Sequence, residues 1–500
     1  MKKYIKKYLK SLMAFKISKK DLKSVIALSV LYILAFSAIF RANFYYFDDL
    51  GRSFEGYHGW LDWSRYFTTI AATIVHADLY LSDISPLLQI LACIVMAASG
   101  ILSIKIFYKD RDITIWNIVA ASLAGLTPYF LGMISYKYDS LYMALSYLFC
   151  LIPFLYLKEN NRKKYIIISI ICIILMCTSY QASSGIYPMI VVFLVVENIV
   201  NDDSFGYKKT TESSGEKFLG INKKTRNLIV DSVISYAVGI LFFSIFLMRK
   251  NEGASAFPLT SLPKEAVKRY VTYFGTVFSD FKKLWLLLIA LLVLLYIAVT
   301  VKNAFIKKWK AAIITCAGLL ASSILCFGVY LYIDRDAYDP RDMFGFCVLL
   351  SLMAIKLSSR RRLIIKFIYA YLAWCFFTFS FSYGNALAAQ KDYALMRMEL
   401  VADALIDEDL LGKEYIAISG DIGIAPVIEG EAEGYDMLNR LMFTMFGEGH
   451  WYSYYFLNYM DMPYELVGAD TLYESDFDIV TQNDFYTISV SDDTVLLELE

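Results

Sequence analysis

Histidine is scarce in this chain. The 500 residues hold three, His58, His76 and His450, and no metal-ligand spacing joins them. His58 lies near Asp48 and Asp49, so a divalent ion there is conceivable without being expected, and no cofactor is expected. The eight cysteines, Cys93, Cys150, Cys172, Cys177, Cys316, Cys326, Cys347 and Cys375, all sit within apolar runs. None falls in a segment read as an external loop or in the tail, so no disulfide framework is visible. They read as small buried apolar side chains. P-loop, dinucleotide fingerprint, H-E-x-x-H and nucleophile elbow are missing from any matching context. Nothing therefore points to a bound nucleotide. No repeat of solenoid period occurs. No A-x-A-like site follows the Lys-rich start (Lys2 to Lys23) and the apolar run Val25 to Phe40, so that run is expected to stay as a first membrane helix.

What the sequence has in excess is apolar surface. It is 58% hydrophobic and 16% aromatic, with a mean hydropathy of +0.49, against roughly 45–50% apolar in soluble domains. The excess falls in runs, and a bilayer-crossing helix needs about 20 apolar residues. Candidate spans lie at 24–40, 86–106, 113–134, 139–157, 164–179, 185–200, 229–248, 284–301, 310–332, 343–358 and 363–383. The expected fold is mainly α, a polytopic helical bundle of about eleven spans with a small α/β unit at the C-terminal end.

Net charge is zero, but its two parts differ. Residues 386–500 carry 4 basic and 24 acidic side chains, and residues 1–385 carry 44 basic and 24 acidic. The acidic part argues against nucleic acid as a partner. Lys and Arg in the short loops set orientation. A cytoplasmic N-terminus puts the basic loops 105–111, 158–164, 201–227, 302–310 and 356–366 inside. The loop 41–85, the loops around Lys137, Tyr180 and Arg335, and the 386–500 unit then face outward. Loop 249–283 breaks the rule, because it should be external yet carries Arg249, Lys250, Lys264, Lys268, Arg269, Lys282 and Lys283. In 386–500, Lys391 to Leu411 reads as a helix and Tyr415 to Ser419 as a strand. Thr487–Val490 and Thr494–Leu499 read as a hairpin about Ser491-Asp492-Asp493.

The first external loop is the richest in chemistry. It runs Phe47-Asp48-Asp49-Leu50-Gly51-Arg52, Gly56-Tyr57-His58-Gly59-Trp60, Trp63-Ser64-Arg65-Tyr66 and Asp83-Ile84-Ser85-Pro86. Adjacent carboxylates beside a membrane helix repel one another, which raises at least one pKa and suits a general base. Arg52 can pair with them or grip a phosphate. A solvated loop with a helix cap and an interfacial aromatic belt reads equally well from spacing alone. Trp60, Trp63, Phe67, Ile70, Ala71 and Ile74 can share one face of an interfacial helix. Tyr136-Lys137-Tyr138-Asp139-Ser140 and Ser179-Tyr180-Gln181 are polar turns that also fit plain anchoring. The run Asp334 to Asp342 puts Arg335 and Arg341 among four carboxylates, for phosphate or for internal pairing.

Asp48-Asp49-Leu50-Gly51-Arg52, Gly56-Tyr57-x-Gly59-Trp60 and Asp83-Ile84-Ser85-Pro86 resemble the first external loop of bacterial serotype-converting glucosyltransferases, the type II Gtr membrane family. Tyr136 to Ser140, Ser179-Tyr180-Gln181 and Pro340-Arg341 resemble its later loops. The family often has Arg-Phe-Asp-Ser where this chain has Lys137-Tyr138-Asp139-Ser140, which keeps the charge and loses the bidentate fork. The likeness covers roughly residues 25–385 and leaves the acidic 386–500 unit without a motif.

The resemblance implies a GT-C type enzyme. Such an enzyme takes a sugar, here glucose, from a polyprenyl-phosphate donor at the outer leaflet and places it on a cell-surface glycan with inversion. It implies Asp48 or Asp49 as base, and Arg52, Arg65, Lys137, Arg335 and Arg341 as orienting or donor-phosphate groups. Tyr57, Trp60, Tyr136, Asp139, Tyr180 and Gln181 would contact substrate. Membrane lipids, a lipid-sugar synthase and a flippase are the implied partners. A GT-C enzyme with another sugar or acceptor remains an alternative, as does a transporter or flippase of lipid-linked glycans. Transporters, however, place ionisable residues on broken helices at the midplane, whereas these carboxylates follow a span.

Overall fold

The computed structural model describes residues 18–108, 111–157, 161–201, 222–249, 255–258, 260–335, 337–462, 464–469 and 477–500. Residues 1–17, most of the 201–227 loop, and Lys250, Glu252 and Asp336 lie outside that set.

Helices dominate. Six are long and apolar enough to cross a bilayer: Leu87–Phe107, Gln181–Asn201, Lys223–Leu247, Lys283–Lys302, Lys308–Leu325 and Leu363–Asp407. A bent pair, Ile115–Leu126 and Pro128–Ile134, makes a seventh if it is one span. This set is consistent with a membrane protein. The remaining expected spans are helical but shorter: Lys19–Ala35, Ser140–Leu151, Arg162–Cys177 and Phe344–Ser358. Length tracks exposure only loosely, but the extremes are clear. Phe344–Ser358 is buried at every position except Lys356, so protein rather than lipid surrounds it. Lys283–Lys302 and Lys308–Leu325 instead show Leu287, Leu294, Ile313 and Leu320 on their outer faces. Cys316 is exposed on the second of these, which corrects the reading of every cysteine as buried.

Two breaks shape the site. Pro128 has no N–H to continue the preceding helix, and the chain turns by 63° there. The short Pro128–Ile134 limb then packs on the Pro340–Met343 turn. The second break is Gln181–Gly185, a 3-10 turn packed on a second such turn, Gly328–Leu331. A Cβ on Gly185 would lie 1.7 Å from the Leu325 carbonyl oxygen, so only glycine allows that approach.

Leu363–Asp407 is one helix of 45 residues. It includes the helix read from Lys391 onward and passes residue 385 without a break. Beyond it lies a five-stranded sheet ordered Glu465–Val467, Tyr415–Ser419, Thr494–Leu499, Tyr486–Ser491, Asp478–Gln482. Tyr415–Ser419 pairs parallel with both neighbours, and the other pairs are antiparallel. The hairpin about Asp492-Asp493 has Ser491 opposite Thr494. Buried Arg397 on the long helix ties the sheet down, donating to the carbonyls of Phe485 (2.7 Å) and Glu500 (2.9 Å).

Candidate active site

The paired carboxylates open a short helix, Asp48–Glu55. Acidic residues in a first turn face the positive end of the helix dipole. The residue before them, Phe47, has φ 48° and ψ −103°, a backbone state that a non-glycine residue holds only under constraint. The constraint is aromatic. Phe47 stacks on Phe443 at 4.1 Å and meets Tyr46 edge-on at 4.9 Å and Tyr452 at 6.1 Å.

Adjacent on the chain, the two aspartates differ in surroundings. Asp49 is fully buried. It accepts backbone N–H groups from Tyr46 (3.1 Å), Lys137 (3.0 Å) and Tyr138 (3.4 Å). It therefore fastens the first inter-helix segment to the Tyr136–Ser140 turn. Burial raises its carboxyl to about 7, against the pull of the Lys137 N–H and the Arg52 charge. Asp48 has a side chain 37% exposed, with Arg52 Nη2 3.4 Å away.

Arg52 is buried and committed. Its other terminal nitrogen pairs with Asp139, and its plane lies over Trp60 at 4.8 Å and Tyr57 at 5.8 Å. The Trp60 indole N–H donates to the second Asp139 oxygen at 2.5 Å. Asp48, Arg52, Asp139, Trp60 and Tyr57 thus form one cluster. Arg52 is thus paired with two carboxylates. Arg52 Nε, Ser140 Oγ, Tyr138 Oη and Tyr142 Oη are buried here with no hydrogen-bond partner among the described residues, and buried polar atoms are otherwise almost always paired.

A second group borders it. Arg341 donates to the Tyr136 phenol and lies over that ring at 4.8 Å. The Asp48 charge acts on both. Arg65 lies over Tyr180 at 4.9 Å and reaches Gln181 at 3.4 Å. Tyr180 and Tyr330 both donate to the same oxygen of buried Asp342, at 2.9 and 2.8 Å. Arg335 covers Trp63 at 4.7 Å.

Lys137 pairs its ammonium with Asp83 at 3.0 Å and rests it on the Tyr45 ring at 3.7 Å. Trp60 to Ala77 is not one amphipathic face. A turn at Ser64 (φ 60°) splits it into Trp60–Trp63 and Tyr66–His76. Trp60 is buried while Ile70 and Ile74 are 62% and 72% exposed. In 249–283 the chain forms the helix Leu262–Asp280, and several stray cations have protein partners. Buried Arg269 donates to the Arg335 carbonyl and pairs with Asp334 at 3.6 Å. Arg249 pairs with Asp62 at 3.7 Å, and Lys282 lies on the Tyr435 ring. His58 turns to the Leu79 carbonyl at 2.9 Å.

Phe443 and Tyr330 carry no sequence signal of their place in the site. Phe443 lies in the motif-free acidic unit, and Tyr330 lies in an apolar run. No local pattern marks either of them.

Apolar helices whose connecting segments gather carboxylates, arginines and aromatic rings are consistent with a membrane protein that carries a polar cluster at its helix ends. The sequence model of the family "Glucosyl transferase GtrII" matches residues 37–357, a range that includes the whole cluster. The chain belongs to that family. It is also 27% identical over 230 residues to an "Uncharacterized 55.3 kDa protein in gtrB 5'region" of Salmonella phage P22, across 45% of this chain and 42% of that protein. The match thus spans less than half of the phage protein's length. No solved structure matches the chain.

Proposed function

We propose that this protein moves glucose from a polyprenyl-phosphate donor to a cell-surface polysaccharide at the outer face of the membrane, with Asp48 as general base and inversion at the anomeric carbon. The observation that carries the assignment is the contrast between the two carboxylates. Geometry ranks before pKa in choosing a base. Asp49 has the pKa suited to the task, but its oxygens face three backbone N–H groups inside the protein. Asp48 is open to an incoming hydroxyl and is held by Arg52.

The reaction balances on these groups. An acceptor hydroxyl attacks the anomeric carbon and its proton passes to Asp48. The new C–O bond forms as the bond to the lipid phosphate breaks, and the phosphate leaves with the electron pair. Positive charge builds on the sugar ring, as in glycoside hydrolysis. The leaving phosphate needs fixed cations; Arg341, Arg65 and Arg335 supply them, resting on aromatic faces that fix their planes. Tyr57, Trp60, Tyr136, Tyr180 and Gln181 shape the walls. The basic inner loops support an inside N-terminus and an outside 386–500 unit. The donor arrives from a lipid-sugar synthase and a flippase.

The test uses the full chain in nanodiscs with polyprenyl-phosphate glucose and purified surface polysaccharide. Asp48→Asn is expected to lower transfer about 10²- to 10⁴-fold at normal expression. Full transfer by that variant would remove Asp48 as base.

A further inference from the structure

Beside the Asp48–Glu55 helix lies a face the reaction above does not use. The short helix Ser453–Tyr459 packs against it. A Cβ on Gly51 would come 2.8 Å from the Tyr455 ring, so the two elements touch as closely as glycine allows. Burial and then the nearby Glu55 carboxylate push the Tyr455 phenol up. Trp451 and Tyr454 meet Tyr455 nearly edge-on at 5.8 and 5.3 Å. Trp451 is 50% and Tyr454 41% exposed. Glu55 stands two helical turns from Asp48, about 10 Å along the axis.

We propose that Trp451, Tyr454, Tyr455 and Glu55 form a binding surface for uncharged sugar units of the acceptor glycan that flank the unit being modified. The inference rests on the glycosyl-transfer reading. A sugar ring offers C–H faces to aromatic rings and hydroxyl donors to carboxylates, and this surface carries both. Charge selects the occupant. From Leu441 to the end the sequence has no Lys or Arg and twelve Asp or Glu. Anionic headgroups attract basic segments, so this surface repels an anionic leaflet, and it repels an anionic polymer equally. A neutral glycan meets no such penalty. Continuity with the Asp48 helix puts neighbouring sugars of one chain within reach of both places.

The experiment uses the full chain in phosphatidylcholine nanodiscs and polysaccharide purified from the surface of cells that make the protein. Removing both exposed rings in Trp451→Ala/Tyr454→Ala is expected to weaken polysaccharide binding about tenfold or more, from roughly 1 kcal/mol per ring. KM for polysaccharide should rise to match while KM for the lipid donor stays put. Trp451→Phe/Tyr454→Phe keeps the rings and should restore binding, which separates recognition from misfolding. Unchanged binding and KM in the alanine variant would overturn the surface. So would quenching of Trp451 fluorescence by brominated lipid, taken as the difference from Trp451→Phe, since that identifies a bilayer contact. If Asp48→Asn abolishes transfer while ring loss changes nothing, the surface fails and the transfer reading stands. If the wild type binds polysaccharide through these rings but transfers no sugar, the transfer reading fails and the surface stands.

Discussion

Phe443 lies face to face with Phe47, ring centres 4.1 Å apart and planes 17° apart. Phe47 immediately precedes the two aspartates and holds a positive φ. A residue outside the matched family region therefore braces the backbone from which Asp48 projects.

Removing that brace should relax Phe47 toward ordinary backbone angles and move Asp48. Phe443→Ala is expected to lower kcat for sugar transfer by about tenfold or more, since small misplacements at a reacting group are costly. Phe443→Tyr keeps the stacked ring and should retain most of the rate. Steady-state kinetics of the two variants, with melting temperatures alongside, would check this. Equal losses in both would sink the idea.

Asp49 makes stability depend on pH in an unusual direction. Its carboxyl titrates at about 7 in the folded protein against an ordinary 3.8, chiefly because burial disfavours the charge. Between those values the unfolded chain has released the proton and the folded chain keeps it, so stability falls as pH rises from about 4 to 7. The full effect is up to roughly 4 kcal/mol. Asp49→Asn cannot titrate there. The stability of the wild type relative to this variant should decline across that window and level off above it. Thermal unfolding of both proteins from pH 4 to 8 measures it, and a flat difference would count against a buried, proton-retaining Asp49.

Arg52 bridges Asp48 and Asp139 while lying on Trp60. Arg52→Ala leaves buried Asp139 without its cation and should cost about 3–5 kcal/mol. Arg52→Lys keeps the charge but lacks the planar fork that serves two carboxylates, so it should fold better than the alanine variant and still transfer sugar poorly. Denaturation midpoints and transfer rates together test the distinction.

Gly185→Ala should be among the most damaging single changes. The added carbon would meet backbone at 1.7 Å, with no flexible side chain to yield. Overpacking typically costs about 1–3 kcal/mol, and a backbone clash lies at or above the top of that range. The expected readout is lost folded protein on size-exclusion chromatography. Normal yield would mean that the Gln181–Gly185 and Gly328–Leu331 turns are less tightly joined.

Much of this was legible in sequence because it is written locally. Apolar runs gave helices wherever they were expected, and alternation about Asp492-Asp493 gave the hairpin. The motifs gave Asp48, Arg52, Trp60 and Asp139, which do meet. Spacing could not separate Asp49 from Asp48, because the difference lies in the N–H groups of Lys137 and Tyr138, far along the chain. Nor could it foresee that Lys137 turns to Asp83, since a lysine reads the same whichever carboxylate it meets. Phe443 was hidden for a related reason: a single phenylalanine in an acidic tail carries no period.

The helix Leu363–Asp407 spans 45 residues, about 67 Å at 1.5 Å per residue. Its first half runs among apolar helices and its second half is fastened to the sheet by Arg397 and by Gln390, which exchanges hydrogen bonds with Gly423 and Ala425. Such a rod has no joint at the point where composition changes. The sheet is therefore carried on the same helix that runs through the apolar bundle, and Phe443 and Trp451 are reached through one unbroken element.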